Sequence, residues 1–282
     1  MNRLNSFQAF CAITDRCDST APVISNFAWL QLPEDAPCIR VLWMYPDILS
    51  LHGGRGDLMA LLRFATAAGL PLTIRKVLQP GDPLPLQEAD LLYFCAGDLQ
   101  SMPDLIRALR PQQHRLIRFA KDGGLIVANG SSGAILAERL TFTDGTGIEG
   151  LGLLGMSWTQ RPTVLGDDLW LRLPDGTELT GTQISLADVV LNVTQPPLAQ
   201  VLYGYGNCGT GSEGAAGKHV FYSACLGPVL VRNPPLAQRL LSLAGSHAGL
   251  LPEGTLPDLG DISSELVAHH SAVEFIRRKL PH

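Results

Sequence analysis

The sequence contains no cluster of lysine and arginine residues interleaved with aromatic residues, the pattern that a nucleic-acid-binding surface requires. Its formal net charge is −5 and its pI is near 5.8, which also argues against binding to an anionic membrane surface. Only 17% of the residues are charged, whereas 46% are hydrophobic. The 282 residues can therefore bury a substantial core, and disorder is not expected over most of the chain.

Long apolar runs are missing as well, since no stretch approaches the roughly 20 apolar residues of a membrane span. Residues 1–20 lack the apolar run and the small-residue cleavage site of a signal peptide. We therefore expect a cytoplasmic protein. No C-x-x-C pair occurs, so neither a disulfide framework nor a zinc site is indicated. All six cysteines are expected to be reduced and mostly buried thiols: Cys11, Cys17, Cys38, Cys95, Cys208 and Cys225.

Short apolar runs alternate with helical patterns in the first half of the chain. Strands are predicted at residues 39–45, 71–77, 89–95 and 124–128, and helices at residues 58–69, 103–109, 113–121 and 131–140. Because strands alternate with crossover helices, we predict an α/β fold, a doubly wound and mostly parallel sheet with helices on both faces. The later pattern predicts short strands at 168–173, 191–193, 201–205 and 218–223 and a helix at 236–243.

Three regions are predicted from these patterns. Residues 1–38 read as an N-terminal arm, in which Phe27, Trp29 and Leu30 suggest some packing. Residues 39–244 form the main domain. Residues 245–282 comprise a linker and a C-terminal amphipathic helix within 261–280.

Sites in doubly wound sheets form at the carboxyl ends of the strands. Four segments are predicted to lie there, and each follows an apolar run. They are Tyr45-Pro46-Asp47 with the glycine turn after it, residues 94–98, residues 128–133, and Cys225-Leu226-Gly227-Pro228.

These segments, in this order, resemble the GatD-type glutamine amidotransferases, the CobB/CobQ-like branch of the class I superfamily. The resemblance covers roughly residues 39–244, and its further matching runs are residues 53–57, 147–154, 197–198, 204–207, 213–214 and 227–234. It implies a class I glutamine-amidotransferase-like, flavodoxin-like fold.

Members of this family hydrolyse glutamine with a cysteine on a strand-to-helix turn and a histidine shortly before a Gly-Pro pair. The thiolate attacks the side-chain amide, the histidine moves the proton, and backbone N–H groups hold the oxyanion. The resemblance further implies that the ammonia passes to a Mur-ligase-like partner, MurT, which amidates the lipid II stem peptide.

This sequence departs from the family pattern at each of these places. The nucleophile's place falls on Asn129, the base's place falls on Leu226, and the oxyanion loop falls on Cys95-Ala96-Gly97. The substrate-side run falls near Thr182-Gln183-Ile184 and keeps none of the family's residues. An asparagine amide cannot act as this nucleophile and leucine cannot transfer a proton. We therefore predict a non-catalytic subunit that forms a heteromer with a MurT-like ATP-dependent amide ligase and supports it in cell-wall or specialised-metabolite synthesis.

Two alternatives to this prediction stay open. A rebuilt hydrolase or amidase could use Ser131, or Cys95 or Cys225 if a basic group lowered the thiol pKa. Ser131 and Ser132 are better suited to capping the following helix through their hydroxyls. The emptied glutamine pocket could instead bind another small ligand.

Partner contacts and metal sites complete the sequence-based expectations. The turn after the first strand offers possible partner contacts at Tyr45, Asp47, Arg55 and Asp57. No histidine has further ligands at a suitable spacing for a metal ion, so neither a metal nor another cofactor is expected.

Overall fold

The computed structural model describes residues 23–33 and 35–280 and contains two sheets. The strands of the larger sheet are β1 (Val23–Ser25), β2 (Ile39–Met44), β3 (Leu72–Val77), β4 (Leu91–Phe94), β5 (Leu125–Asn129), β12 (Ala215–Ala216) and β13 (Val220–Ser223). The strands of the second sheet are β6 (Arg139–Thr141), β7 (Gly147–Glu149), β8 (Met156–Arg172), β9 (Glu178–Leu191), β10 (Ala199–Tyr203) and β11 (Ser212–Glu213). The helices are α1 (Phe27–Leu30), α2 (Gly54–Ala67), α3 (Met102–Leu109), α4 (Gln113–Lys121), α5 (Gly133–Leu136), α6 (Val229–Arg232), α7 (Pro234–His247) and α8 (Ser263–Arg277).

The larger sheet has the strand order β1-β3-β2-β4-β5-β13-β12. Its central pairings are parallel and its two edge pairings are antiparallel. Helix α2 packs with α6 and α7, whereas α3 packs with α5, so two separate groups of helices cover the sheet. Strands β4 and β5 are buried along their whole length, as expected of strands covered on both faces. The predicted α/β fold with a mostly parallel sheet is confirmed.

The second sheet is largely antiparallel and is dominated by the long β8–β9 hairpin. Of this hairpin, the predicted strands at 168–173 and 191–193 covered only residues 168–172 and residue 191. The helix predicted at 131–140 is also wrong, because α5 ends at Leu136 and β6 follows. The backbone N–H groups of residues 151–153 donate to the carbonyls of residues 135–137. The segment after β7 therefore takes the hydrogen bonds that further helical turns would have made.

The regions outside the main domain also pack on the two sheets. Strand β1, within the predicted arm, adds antiparallel to β3, and the buried Asn26 amide donates to the Leu70 carbonyl. Val273 and Ile276 of α8 bury against Trp170 of β8. Cys11 and Cys17 lie outside the described residues. Across residues 23–33 and 35–280, no helix is both long and apolar enough to cross a membrane.

Candidate functional site

The turn between β5 and α5 carries no side chain at its tightest point. Asn129 is extended, whereas Gly130 has a φ of 58° and lies in the left-handed region. A Cβ built on Gly130 would lie 2.6 Å from Leu226 Cδ2 and 3.0 Å from Ala96 Cβ. Contacts this short are excluded for real side chains, so the Leu226 side chain closes the space directly in front of the turn.

Leu226 is fixed in this position by its backbone. Its N–H donates to the Thr182 carbonyl at 2.7 Å, and its carbonyl accepts from the Thr182 N–H at 3.2 Å. The side chain is 4% exposed. The structure therefore brings together three of the predicted places, represented by Ala96, Thr182 and Leu226, around the turn at Gly130.

The substrate-side segment is largely committed to internal contacts. The Gln183 amide donates to the Gly206 carbonyl at 2.6 Å and accepts from the Gly206 N–H at 3.0 Å. Ile184 is partly exposed. Because both polar ends of Gln183 are occupied, this segment presents the Ile184 side chain rather than a polar group to solvent.

Ser131 hydrogen-bonds to Gly97 of the segment 95–97, which was predicted to correspond to the family's oxyanion loop. The Gly97 N–H donates to Ser131 Oγ at 3.1 Å, and the Ser131 hydroxyl donates to the Gly97 carbonyl at 2.5 Å. The hydroxyl is therefore tied to the loop rather than free to attack a substrate. The capping role proposed for Ser131 is not observed, because the caps of this turn involve no side-chain hydrogen bond.

Cys95 and Cys225 are both buried. Burial raises the pKa of the Cys95 thiol, and the nearby Asp57 carboxylate raises it further. Burial likewise raises the pKa of the Cys225 thiol, with Glu213 adding to the effect. Both environments therefore disfavour the thiolate, which is the nucleophilic form.

Four histidine side chains hydrogen-bond to groups outside this site. A ring nitrogen of His219 contacts the Ala120 carbonyl, one of His247 contacts Asp90, and one of His269 contacts the Arg232 carbonyl. Within the described part of the chain, no histidine hydrogen bond reaches Ser131, Cys95 or Cys225. The same residues contain no group of three His, Cys, Asp or Glu side chains that could hold a metal ion.

Cys95 and Cys225 are expected to resist alkylation by N-ethylmaleimide in the native protein at pH 8, because both thiols are buried and protonated. The partly exposed Cys208 serves as the internal control and should react first. Peptide mass spectrometry after timed labelling measures each site. Labelling of Cys95 or Cys225 as fast as Cys208, without unfolding, would contradict this burial and revive the rebuilt-nucleophile alternative.

A buried polar cluster lies directly behind the turn. The Asn129 amide donates to the Tyr93 hydroxyl at 2.7 Å, and Asp57 accepts from the Leu230 N–H at 2.7 Å. Burial raises the pKa of Asp57 to about 7, although hydrogen bonds from Leu230, Tyr93 and Asn129 favour its charged form. The sequence held a signal for this cluster, since Tyr93 stands in one mostly apolar predicted strand and Asn129 directly follows another, where buried polar groups need partners.

The possible partner contacts divide into two groups. Tyr45 and Asp57 are buried, at 0% and 1% exposure, so the expectation that they contact a partner is corrected. Asp57 is covered because the N-terminus of α6 packs on it. Asp47 and Arg55 are exposed and keep their candidate role.

A second buried carboxyl group belongs to Glu213, which is 0% exposed. Its Oε1 accepts from the Ser223 hydroxyl at 3.0 Å and from the Ala224 N–H at 2.5 Å. Its Oε2 has no hydrogen-bond partner among the described residues. Burial raises the pKa of Glu213 to about 7. Residues 213–214 match the family pattern, but the burial of the Glu213 carboxyl could not be predicted, since a lone Glu beside glycine normally indicates an exposed turn.

One curated relative has a sequence similar to this chain. It is the lipid II isoglutaminyl synthase (glutamine-hydrolyzing) subunit GatD of Streptococcus pneumoniae (strain ATCC BAA-255 / R6). The two are 25% identical over 209 residues, which cover 73% of this chain and 80% of the relative. No protein-family model matches the chain.

Two solved structures are also similar to this chain. The crystal structure of a glutamine amidotransferase is 16% identical and covers 72% of this chain and 98% of its own, with a TM-score of 0.48. PurLQS from Thermotoga maritima is 12% identical and covers 84% of this chain and 99% of its own, with a TM-score of 0.49.

Proposed function

Because this chain is a GatD-type relative of the class I glutamine amidotransferases, we propose that it is a non-catalytic subunit of that type. It binds and supports a Mur-ligase-type, MurT-like ATP-dependent amide ligase in the cytoplasm, in cell-wall or specialised-metabolite synthesis. The observation that carries the proposal is the contact between Gly130 and Leu226. An aliphatic side chain lies against a bare backbone turn where glutamine hydrolysis would need a thiol and an imidazole.

We further propose that the family's nucleophile position falls on Gly130, one residue after Asn129. A nucleophile at the end of a strand sits on a sharp, strained turn that exposes its reactive atom. In this turn Gly130 has the positive φ, and its Cβ direction points at Leu226 and Ala96. The Asn129 side chain turns instead toward Tyr93. Neither residue supplies a nucleophile.

The remaining groups of the glutaminase are also missing from this arrangement. Leu226 cannot move a proton, and the Gly97 N–H is engaged by Ser131. Loss of a nucleophile or base from such a site costs several orders of magnitude in rate. The partner ligase would therefore use an amine other than glutamine-derived ammonia.

A partner ligase is supported by the relative, which is named as a subunit of a synthase. Two surfaces of this chain are candidates for the contact. Asp47 and Arg55 are exposed beside the turn after β2. Helix α8 exposes Val267 and Phe275, at 66% and 59%, and this apolar pair would be covered in a heteromer.

The proposal is tested by co-expressing the full chain with the Mur-ligase-type protein of the same organism. A stable heteromer is expected in gel filtration, and Val267→Asp with Phe275→Asp or Asp47→Arg with Arg55→Glu should weaken it. Ammonium release from L-glutamine should not exceed that of buffer, with or without the ligase, while a catalytically active GatD-type subunit serves as the positive control. Release of ammonium would refute the non-catalytic role, and failure to form any heteromer would refute the partnership.

A further inference from the structure

A cavity of about 840 Å³ lies between the larger sheet and α7. Its walls include residues of β4, β5 and β13, of α7, and of the 194–198 loop. Most of the lining is apolar and includes Val127, Leu173, Phe221, Leu230 and Leu240. This volume is within the range of small-molecule sites, which are typically apolar with a few polar groups. The cavity is not lined by Gly130, Leu226 or Ala96, although Asn129 belongs to its lining, so it lies behind the turn and not in the space in front of it that Leu226 closes.

The charged side chains that line the cavity are all cationic. Lys218 and Arg239 line the cavity, and no aspartate or glutamate does, although the whole chain has a net charge of −5. Lys218 forms no ion pair among the described residues. Arg239 pairs with Asp175, and both side chains are over one third exposed, so a ligand can replace this pair at little cost.

A buried part of the lining is neutral and polar. Tyr93 and Asn129 are both buried, and their hydroxyl and amide groups are joined by one hydrogen bond. Both side chains also hydrogen-bond to the Asp57 carboxyl, so their donors are engaged. The acceptor oxygen of the Asn129 amide is the hydrogen-bonding capacity that this pair retains toward a ligand. The lining thus combines partly exposed cations, apolar side chains and a buried neutral polar pair.

We propose that this cavity binds an amphipathic carboxylate. The anionic group lies at Lys218 and Arg239, the apolar body packs against the leucine and phenylalanine side chains, and a neutral polar group at the far end meets Tyr93 and Asn129. This inference is independent of the proposed ligase partnership, because it involves a different part of the surface and requires no second protein.

Isothermal titration calorimetry on the full chain tests the proposal with four probes: dodecanoate, ω-hydroxydodecanoate, dodecanol and acetate. Dodecanoate is expected to bind with one-to-one stoichiometry, and ω-hydroxydodecanoate at least as tightly. Dodecanol should bind at least about tenfold more weakly, because a charge-assisted hydrogen bond contributes this much. Acetate, which lacks the apolar body, should not bind measurably.

Variants then locate the binding. Lys218→Gln with Arg239→Gln should weaken dodecanoate about tenfold or more and leave dodecanol unchanged, whereas Lys121→Gln, an exposed lysine outside the cavity, should change neither. Lys218 and Arg239 are surface residues, so both substitutions are expected to leave the fold intact, which circular dichroism can check. Absence of dodecanoate binding, equal binding of dodecanol, or unchanged affinity in the double variant would each overturn the proposal.

Discussion

The free energy of unfolding is expected to fall by several kcal/mol as the pH is raised from 5 to 8. The carboxyls of Asp57 and Glu213 each have a pKa of about 7 in the folded protein because they are buried. In an unfolded chain their values are close to 4. The native state therefore holds protons that the unfolded state has released, and the stability present at low pH is lost as the pH rises toward 7. At about 1.4 kcal/mol per pKa unit, each carboxyl contributes on the order of 3 kcal/mol.

Urea unfolding of the wild type, Asp57→Asn and Glu213→Gln at several pH values measures this effect. Each amide keeps the shape of the side chain and removes its titration, so each variant should show a flatter pH dependence, and the double variant the flattest. Glu253→Gln changes an exposed carboxyl and is the control. Burial also lowers the pKa of His269, and this shift alone would make the stability rise with pH. Because His269 is present in the wild type and in every variant, the difference between their slopes reports the contribution of the carboxyls. Equal slopes in wild type and variants would contradict the prediction.

The parallel half of the fold could be predicted from the sequence because its strands are continuously apolar. Strands β2 and β3 begin and end within one residue of the predicted bounds, and α4 matches at both ends. The β8–β9 hairpin could not be recognised in this way. Its middle, around residues 160–168, is largely exposed and polar. Backbone hydrogen bonds to the partner strand hold it there without a hydrophobic pattern.

The place of the candidate site in the fold could be predicted from the sequence, but the residue at its tight turn could not. The segments containing Ala96, Thr182 and Leu226 do meet at one edge of the sheet. Whether Asn129 or Gly130 occupies the tight turn could not be decided, because asparagine and glycine both tolerate the left-handed region. The burial of Asp57 could not be foreseen either, since Leu230, which covers it, is 173 residues away in sequence.

Replacement of Gly130 by alanine is expected to destabilise the protein by roughly 2–5 kcal/mol, and removal of the Leu226 side chain should recover part of that loss. Two effects add at Gly130: a side chain in the left-handed region costs about 1–2 kcal/mol, and overpacking costs about 1–3 kcal/mol. The overpacking arises from Leu226 Cδ2, 2.6 Å from the new Cβ. Leu226→Ala alone should cost about 2–4 kcal/mol through the cavity it leaves.

A double-mutant cycle separates these effects, with unfolding free energies measured for the wild type, both single variants and Gly130→Ala/Leu226→Ala. Gly152→Ala is the matched control, because Gly152 has a φ of 60° and nothing within 4 Å of its built Cβ; it reports the backbone cost alone. In the Leu226→Ala background, Gly130→Ala should cost less than in the wild type but still more than Gly152→Ala, because Ala96 Cβ stays 3.0 Å from the new Cβ. If Gly130→Ala is no worse than Gly152→Ala in the wild-type background, Leu226 does not fill the space in front of the turn. The proposed place of the family's nucleophile would then be open and not closed by an aliphatic side chain.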